Sequence, residues 1–238
     1  MFYPQEYFTN TSTRIDLSYL NTSIITEEVT VSDKERLYYM HNPIEFQIET
    51  AKKFPKQLMS LTMPNNDQKF EGFIADFPVK MINWLFRSRQ FEDLTSSEYF
   101  LHRYNFSTVV STDEQYRLFF QFLEKADFFI EGIPQVERYG TSDFFRYLQT
   151  LKSGLYPTEK NIYSYAMSLY PQKMTPSGSL NFSETNSNKT FLQFKLDPKD
   201  SSTALTQVDL NAGVTMHGYA YGYNILKIKD NTVFKVFS

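Results

Sequence analysis

Histidines, which often serve as catalytic groups or metal ligands, are few and widely spaced in this sequence. The chain has three, His41, His102 and His217, and no two of them form a His-x-His or His-x-x-x-His pair. Compact metal sites usually draw ligands from such short spacings. We therefore expect no metal site, and we interpret each histidine as a surface residue or a satisfied core residue.

Other catalytic groups also lack a productive arrangement. The chain has no cysteine, which excludes thiol nucleophiles and thiolate metal ligands, and it has no nucleophile-elbow or phosphate-binding glycine motif. The carboxylate pairs Glu27–Glu28 and Asp113–Glu114 could in principle serve a glycosidase. Adjacent strand residues point to opposite faces, so such pairs are more typical of solvated loops. The sequence predicts a non-enzymatic protein without a cofactor.

Charge and composition narrow the class of protein further. The formal net charge is −3 with both signs interspersed, so there is no basic stripe to follow a nucleic-acid backbone. No apolar run approaches the ~20 residues that span a bilayer, and residues 1–6 lack the features of a signal peptide. We expect synthesis in the cytoplasm.

Aromatic residues make up 17% of the 238 residues, and they favour strands.

Short apolar runs between turn signals predict the secondary-structure elements of the chain. Ser23–Val31 is predicted as a strand, and the following Ser32-Asp33-Lys34-Glu35 has the spacing of a helix capping box. Pro43 should keep that helix short. Tyr163–Leu169 and Leu192–Leu196 alternate as strands, with a tight turn at 175–178. Strands at 214–229 and 232–237 predict a terminal hairpin.

The run from Val79 to Phe86 is predicted as a strand with two apolar faces. Its even-numbered apolar residues share one face and its odd-numbered ones the other: Ile82, Trp84 and Phe86 against Val79, Met81 and Leu85. The outer face of a lone two-sheet sandwich is mostly polar. Two explanations stay open: the outer face packs on a neighbouring domain or subunit, or a long loop folds over it. The whole pattern favours an all-β sandwich or jelly roll.

Several segments carry a family resemblance. The strand 162–169 is followed by Pro176-Ser177-Gly178 and then by Asn181-Phe182-Ser183. This order resembles a signature of the major capsid proteins of nucleo-cytoplasmic large DNA viruses: a strand, a Gln-Pro-Ser-Gly-type turn, then Asn-Phe-Ser. Met174-Thr175 before the proline departs from it. Segments 29–39, 77–84 and 219–228 fall in the family's order, so the resemblance covers roughly residues 23–238, with a loose match at 87–118.

The resemblance implies an all-β fold, a jelly-roll β-sandwich that is the C-terminal roll of a double jelly-roll protein, with short helices in the linker and loops. Residues 1–41 would be the last strand and linker helix of a preceding, absent roll, and residues 42–238 the C-terminal jelly-roll domain. A partial chain, a split gene product or a divergent member would each explain the missing roll.

The resemblance also implies a structural role in the virion. Three chains would form a pseudo-hexameric capsomer of an icosahedral shell, without direct contact to nucleic acid. The implied partners are a homotrimer, other capsomers, minor capsid proteins, a separately encoded N-terminal half and an internal membrane beneath the shell. The candidate packing residues are Met81, Trp84, Phe86, Tyr219, Tyr221 and Tyr223. Two alternatives stay open: a membrane-coating viral scaffold of the same lineage, and a carbohydrate-binding β-sandwich.

Overall fold

The computed structural model describes residues 28–61, 67–73, 75–92, 99, 102–110, 119–136, 140–157, 160–186, 188–196, 208–229 and 232–237. The chain divides into two units. The small unit comprises the chain up to Ile44 together with Ile228–Val233, and the large unit comprises Glu45–Lys227 and Phe234–Ser238. Within the described residues, no helix is long and apolar enough to cross a membrane.

The small unit contains helix α1, Asp33–His41, at the place that the capping box predicts. The Ser32 hydroxyl accepts a hydrogen bond from the Glu35 amide at 3.4 Å, and the Glu35 carboxylate accepts one from the Ser32 amide at 3.0 Å. The helix ends two residues before Pro43, as predicted. Residues 28–31, the described part of the strand predicted at Ser23–Val31, are not in a strand. Among the described strands, none pairs with them, and an unpaired segment has no ladder of hydrogen bonds to hold it extended.

Eleven strands lie in the described part of the chain: β1 Ile44–Lys53, β2 Gln57–Met59, β3 Asp67–Phe70, β4 Pro78–Ser88, β5 Leu123–Ile130, β6 Ile133–Pro134, β7 Ile162–Ala166, β8 Leu180–Asn181, β9 Phe191–Leu196, β10 Val214–Lys229 and β11 Thr232–Lys235. A π-helical turn, Phe144–Leu148, continues into the short helix α2, Gln149–Lys152. Among the residues that the structure describes, three single turns of 3₁₀ helix cover Arg89–Phe91, Phe182–Glu184 and Leu210–Ala212.

The strands form two antiparallel sheets with jelly-roll topology. The larger sheet has the order β1-β10-β4-β7, with β2 and β11 added on β10 and β8 on β4; the smaller has the order β3-β9-β5-β6. The chain passes repeatedly from one sheet to the other, which is how a jelly roll wraps. The predicted all-β jelly-roll class is confirmed.

The core lies between the inner faces of these sheets and is rich in aromatic residues. From the larger sheet, Trp84 meets the Phe145 ring at 5.1 Å, and Phe86 meets Phe194 of the smaller sheet at 5.1 Å. Phe128 of the smaller sheet lies 5.3 Å from Tyr165. Edge and tilted contacts of this kind are the geometries that aromatic rings prefer, and they add to the free energy of burial.

Strand β4 departs from simple alternation at one residue. Tyr221 of β10 pairs with Met81, but the next residue, Gly222, pairs with Val79, so Lys80 is an extra residue in β4. Such a bulge shifts the alternation by one position. Val79 therefore joins Ile82 in the core, with 0% exposure, and its predicted place on the opposite face with Met81 is wrong.

The strand predicted at Tyr163–Leu169 ends earlier, at Ala166, because the chain then leaves the larger sheet. Both β7 and β8 pair with β4 in the same direction, at Met81–Leu85 and at Pro78–Val79. Between them the chain turns back on itself, since the Leu169 amide donates to the Ser177 carbonyl at 3.2 Å. We call this excursion, residues 167–179, the 167–179 segment. The predicted reversal is present, but it returns the chain to the same sheet.

The predicted terminal hairpin is also present. Strands β10 and β11 pair, and their turn at 230–231 lies outside the described residues. Within β10, Gly222 lies at the bulge. A Cβ there would be 2.1 Å from the Pro78 carbonyl oxygen, so the two backbones are too close for any side chain.

Candidate assembly surface

The six residues predicted to form interfaces fall into two groups. Trp84 and Phe86 are each 1% exposed and pack within the core of the large unit. The apolar stripe that contains them faces the opposite sheet, so they leave almost no surface for another subunit. The interface prediction therefore does not fit these two residues.

Met81 and the three tyrosines lie elsewhere, along the outward side of β4 and β10. The register pairs Met81 with Tyr221 and Asn83 with Tyr219, and paired residues point to the same face. Tyr219 is 37% exposed, Tyr221 is half-buried and Tyr223 is 7% exposed. The structure thus brings these four residues to one face, while their part in an interface stays a prediction.

A buried lysine organises this face. Lys80 is 0% exposed, and its ammonium donates to one oxygen of the Glu49 carboxylate, while the Tyr221 hydroxyl donates to the other. The same ammonium lies 4.7 Å from the centre of the Tyr221 ring and 4.6 Å from that of Tyr223. We call these four residues the Lys80 cluster. A buried ammonium is tolerated only with such partners.

The pKa values within the Lys80 cluster follow from these contacts. Hydrogen bonds from Lys80 and Tyr221 lower the pKa of the Glu49 carboxyl below its ordinary value. Burial and the hydrogen bond to Glu49 raise the pKa of Tyr221 to about 12. At neutral pH, Glu49 is therefore ionised and Tyr221 keeps its proton, as both hydrogen bonds require.

Two members of the Lys80 cluster, together with Gln47, hold the 167–179 segment against the face. Lys80, Gln47 and Tyr223, from three different strands, donate to the carbonyls of Lys173, Met174 and Thr175 at 3.2, 2.6 and 3.3 Å respectively. Of the two explanations for the apolar outer face of β4, a loop therefore covers this end of it.

A second polar cluster lies farther along β10. The Glu92 carboxylate contacts the His217 ring at 2.7 Å and accepts from the Thr215 hydroxyl at 3.1 Å, with the Lys56 ammonium 3.6 Å away. Burial lowers the pKa of His217, and the hydrogen bond to Glu92 only partly opposes this. For Glu92, burial acts to raise the pKa of the carboxyl. The hydrogen bonds with His217 and Thr215 and the charge of Lys56 outweigh burial, so the pKa of Glu92 is lower than its ordinary value. His217 is thus a satisfied, largely buried histidine.

The remaining candidate chemistry is dispersed. His41 is at the exposed end of α1, and His102 is 6% exposed with its ring 5.0 Å from Phe91. Within the described residues, no three His, Asp or Glu side chains cluster as metal ligands. Glu27 and the Asp113–Glu114 pair lie outside the described residues.

The sequence interpretation missed the Lys80 cluster and its link to the 167–179 segment. The available signal was a lysine near the start of a strand made mostly of apolar residues, a position where burial rules make a charged side chain unusual. Its partner Glu49 is 31 residues away in the sequence, so spacing could not have identified the pair.

Comparisons with solved structures support the fold. The structure is similar to a quasi-atomic model of the PBCV-1 virus capsid, with a TM-score of 0.61, 18% identity, 87% of this chain covered and 55% of that chain. It is also similar to the Faustovirus major capsid protein, with a TM-score of 0.54, 14% identity and coverage of 82% and 36%. The chain thus spans about half the length of the PBCV-1 capsid chain and a smaller share of the Faustovirus protein. No curated protein gives a significant sequence match.

The family assignment comes from the sequence. The family model described as the large eukaryotic DNA virus major capsid protein matches residues 35–233, which include both sheets of the jelly roll. The chain belongs to the large eukaryotic DNA virus major capsid protein family.

Proposed function

We propose that this chain is a structural subunit of the virion, one jelly roll of a major capsid protein. The observation that carries the proposal is the family match over residues 35–233, together with the jelly-roll order of both sheets. The work of such a protein is burial and complementarity at repeated contacts, and it requires no catalytic group.

The proposal includes a homotrimeric capsomer that contacts other capsomers and minor capsid proteins. It also includes a partner for the small unit. No residue of α1 is buried, and Leu37, Tyr38, Tyr39 and Met40 are 49–62% exposed. Four exposed apolar side chains on one nine-residue helix are typical of a contact surface. We propose that a preceding jelly roll, in the same polypeptide or a separate one, covers them.

The test is the molar mass of the purified chain, measured by light scattering after size exclusion, alone and mixed with the protein encoded immediately upstream. A trimer, alone or with that partner, is the expected result. A folded monomer that does not bind the upstream protein would contradict the capsid proposal. Binding of that monomer to a glycan array would indicate the carbohydrate-binding alternative. Mass spectrometry of mature particles distinguishes a shell protein from a scaffold protein. A shell protein is detected in them, whereas a scaffold protein is lost during maturation.

A further inference from the structure

The 167–179 segment carries an exposed apolar surface although it is firmly anchored. Leu169, Tyr170 and Met174 are 67%, 49% and 55% exposed. Exposed loops usually avoid such side chains, and grouped ones indicate a contact site. Lys173 is the only charged residue in the segment, and its ammonium lies 4.7 Å above the Tyr170 ring.

The anchoring of this segment is unusual for a loop. Three consecutive carbonyls are each held by a side chain from a different strand of the larger sheet. At its base, the Met167 and Ser168 amides both donate to the Lys80 carbonyl, at 2.8 and 3.2 Å. Lys80 therefore holds the segment with its backbone and with its side chain. A segment fixed in this way loses little conformational entropy when a partner binds.

We propose that the Lys80–Glu49 pair holds the 167–179 segment as a preformed contact for a second copy of this chain. The inference rests on the proposed function, which supplies many identical copies at fixed spacing. Lys80 is then a positioning residue, and the contact itself is made by Leu169, Tyr170 and Met174.

The chemistry of the segment favours another copy of the chain over a membrane. Aromatic residues and methionine are enriched at the centre of protein interfaces, whereas anionic lipid surfaces attract clusters of basic residues, and this segment has one lysine already engaged with a ring. Three side chains offer far less than the ~800 Å² per partner of a stable interface. The contact is therefore too small to hold a dimer alone and suits copies that other contacts already hold together.

The test is photo-crosslinking with Tyr170 replaced by p-benzoylphenylalanine, in a concentrated equal mixture of ¹⁴N- and ¹⁵N-labelled chain. We expect crosslinked peptide pairs that combine both isotopes, which prove contact between two copies. Ile133, which is 64% exposed on the smaller sheet, takes the same replacement as the matched control and should give few such pairs. The mixture is irradiated with and without vesicles of phosphatidylcholine and phosphatidylserine.

The positioning role is tested with variants that loosen the segment. Lys80→Met removes the ion pair, and the double variant Gln47→Ala/Tyr223→Phe removes two anchors while leaving that pair intact. We expect amide exchange in residues 167–179 to become about tenfold faster or more, and the yield of mixed-isotope crosslinks to fall severalfold. Exchange in β4 and β9 should be unchanged in the double variant, which shows that the fold is kept.

The outcomes separate this inference from the proposed function. A chain that forms trimers but gives only crosslinks within one copy, crosslinks to lipid, or equal yields at Ile133 overturns the inference and leaves the capsid proposal standing. Crosslink yields that do not respond to the loosened anchors overturn the positioning role. A chain that stays monomeric with and without the upstream protein, and that gives no mixed-isotope crosslinks, overturns both proposals.

Discussion

The two partners of the Lys80 ion pair should respond unequally to substitution. Lys80 is 0% exposed, whereas the Glu49 side chain is 24% exposed. Glu49→Gln strands a buried ammonium without a counter-charge, which typically costs about 3–5 kcal/mol. Lys80→Met leaves a carboxylate that still reaches solvent and still accepts from Tyr221, so we expect about 1–3 kcal/mol, the cost of a lost charged hydrogen bond.

Urea unfolding followed by tryptophan fluorescence measures both costs. Trp84 is the only tryptophan of the chain and is buried in the core, so its emission reports unfolding of the large unit. The double variant Lys80→Met/Glu49→Gln should be no less stable than Glu49→Gln alone, because no charge is then stranded. Lys125→Met, at an exposed position on β5, is the control and should change stability by less than about 0.5 kcal/mol. If Lys80→Met costs as much as Glu49→Gln, the argument from unequal burial is refuted.

Three further predictions address the bulge, the second polar cluster and the helix cap. Gly222→Ala places a Cβ 2.1 Å from the Pro78 carbonyl oxygen and should lower the unfolding free energy by about 1–3 kcal/mol, seen as a lower urea midpoint; an unchanged midpoint would disprove the close approach. The pKa of His217 is lowered from 6.5 in the folded chain, so the unfolded chain takes up the proton first and stability should fall as the pH drops below about 6.5. His217→Gln should remove this part of the pH dependence, measured by urea unfolding at several pH values. The same change of unfolding free energy with pH in the variant and the parent would contradict the prediction. Ser32→Ala removes the cap of α1 and should cost about 1 kcal/mol of helix stability, detected as faster amide exchange across Asp33–His41 with an unchanged urea midpoint.

Sequence patterns identified the strands well where the pattern is local. The alternation in Leu192–Leu196 and the capping spacing at Ser32–Glu35 depend only on neighbours in the chain, and the corresponding elements are β9 and α1. The assignment of strands to sheets depends on contacts between distant residues. Tyr163 and Leu192 lie on strands that the sequence patterns predict one after the other, yet these strands, β7 and β9, belong to different sheets. Periodicity gives the faces of a strand but not its neighbours.

The bulge at Lys80 shows why the candidate surface could not be read from the same patterns. Strict alternation places Lys80 on the core face with Ile82, where an ammonium would have no partner. One extra residue in β4 moves Lys80 outward and Val79 inward, so the charge reaches Glu49 and the apolar side chain reaches the core. Both moves lower the free energy, and each requires the other. The conflict between alternation and burial at Lys80 was therefore itself evidence for a bulge. Because the bulge directs the Lys80 side chain outward, its ammonium can donate to the Lys173 carbonyl and help to hold the 167–179 segment.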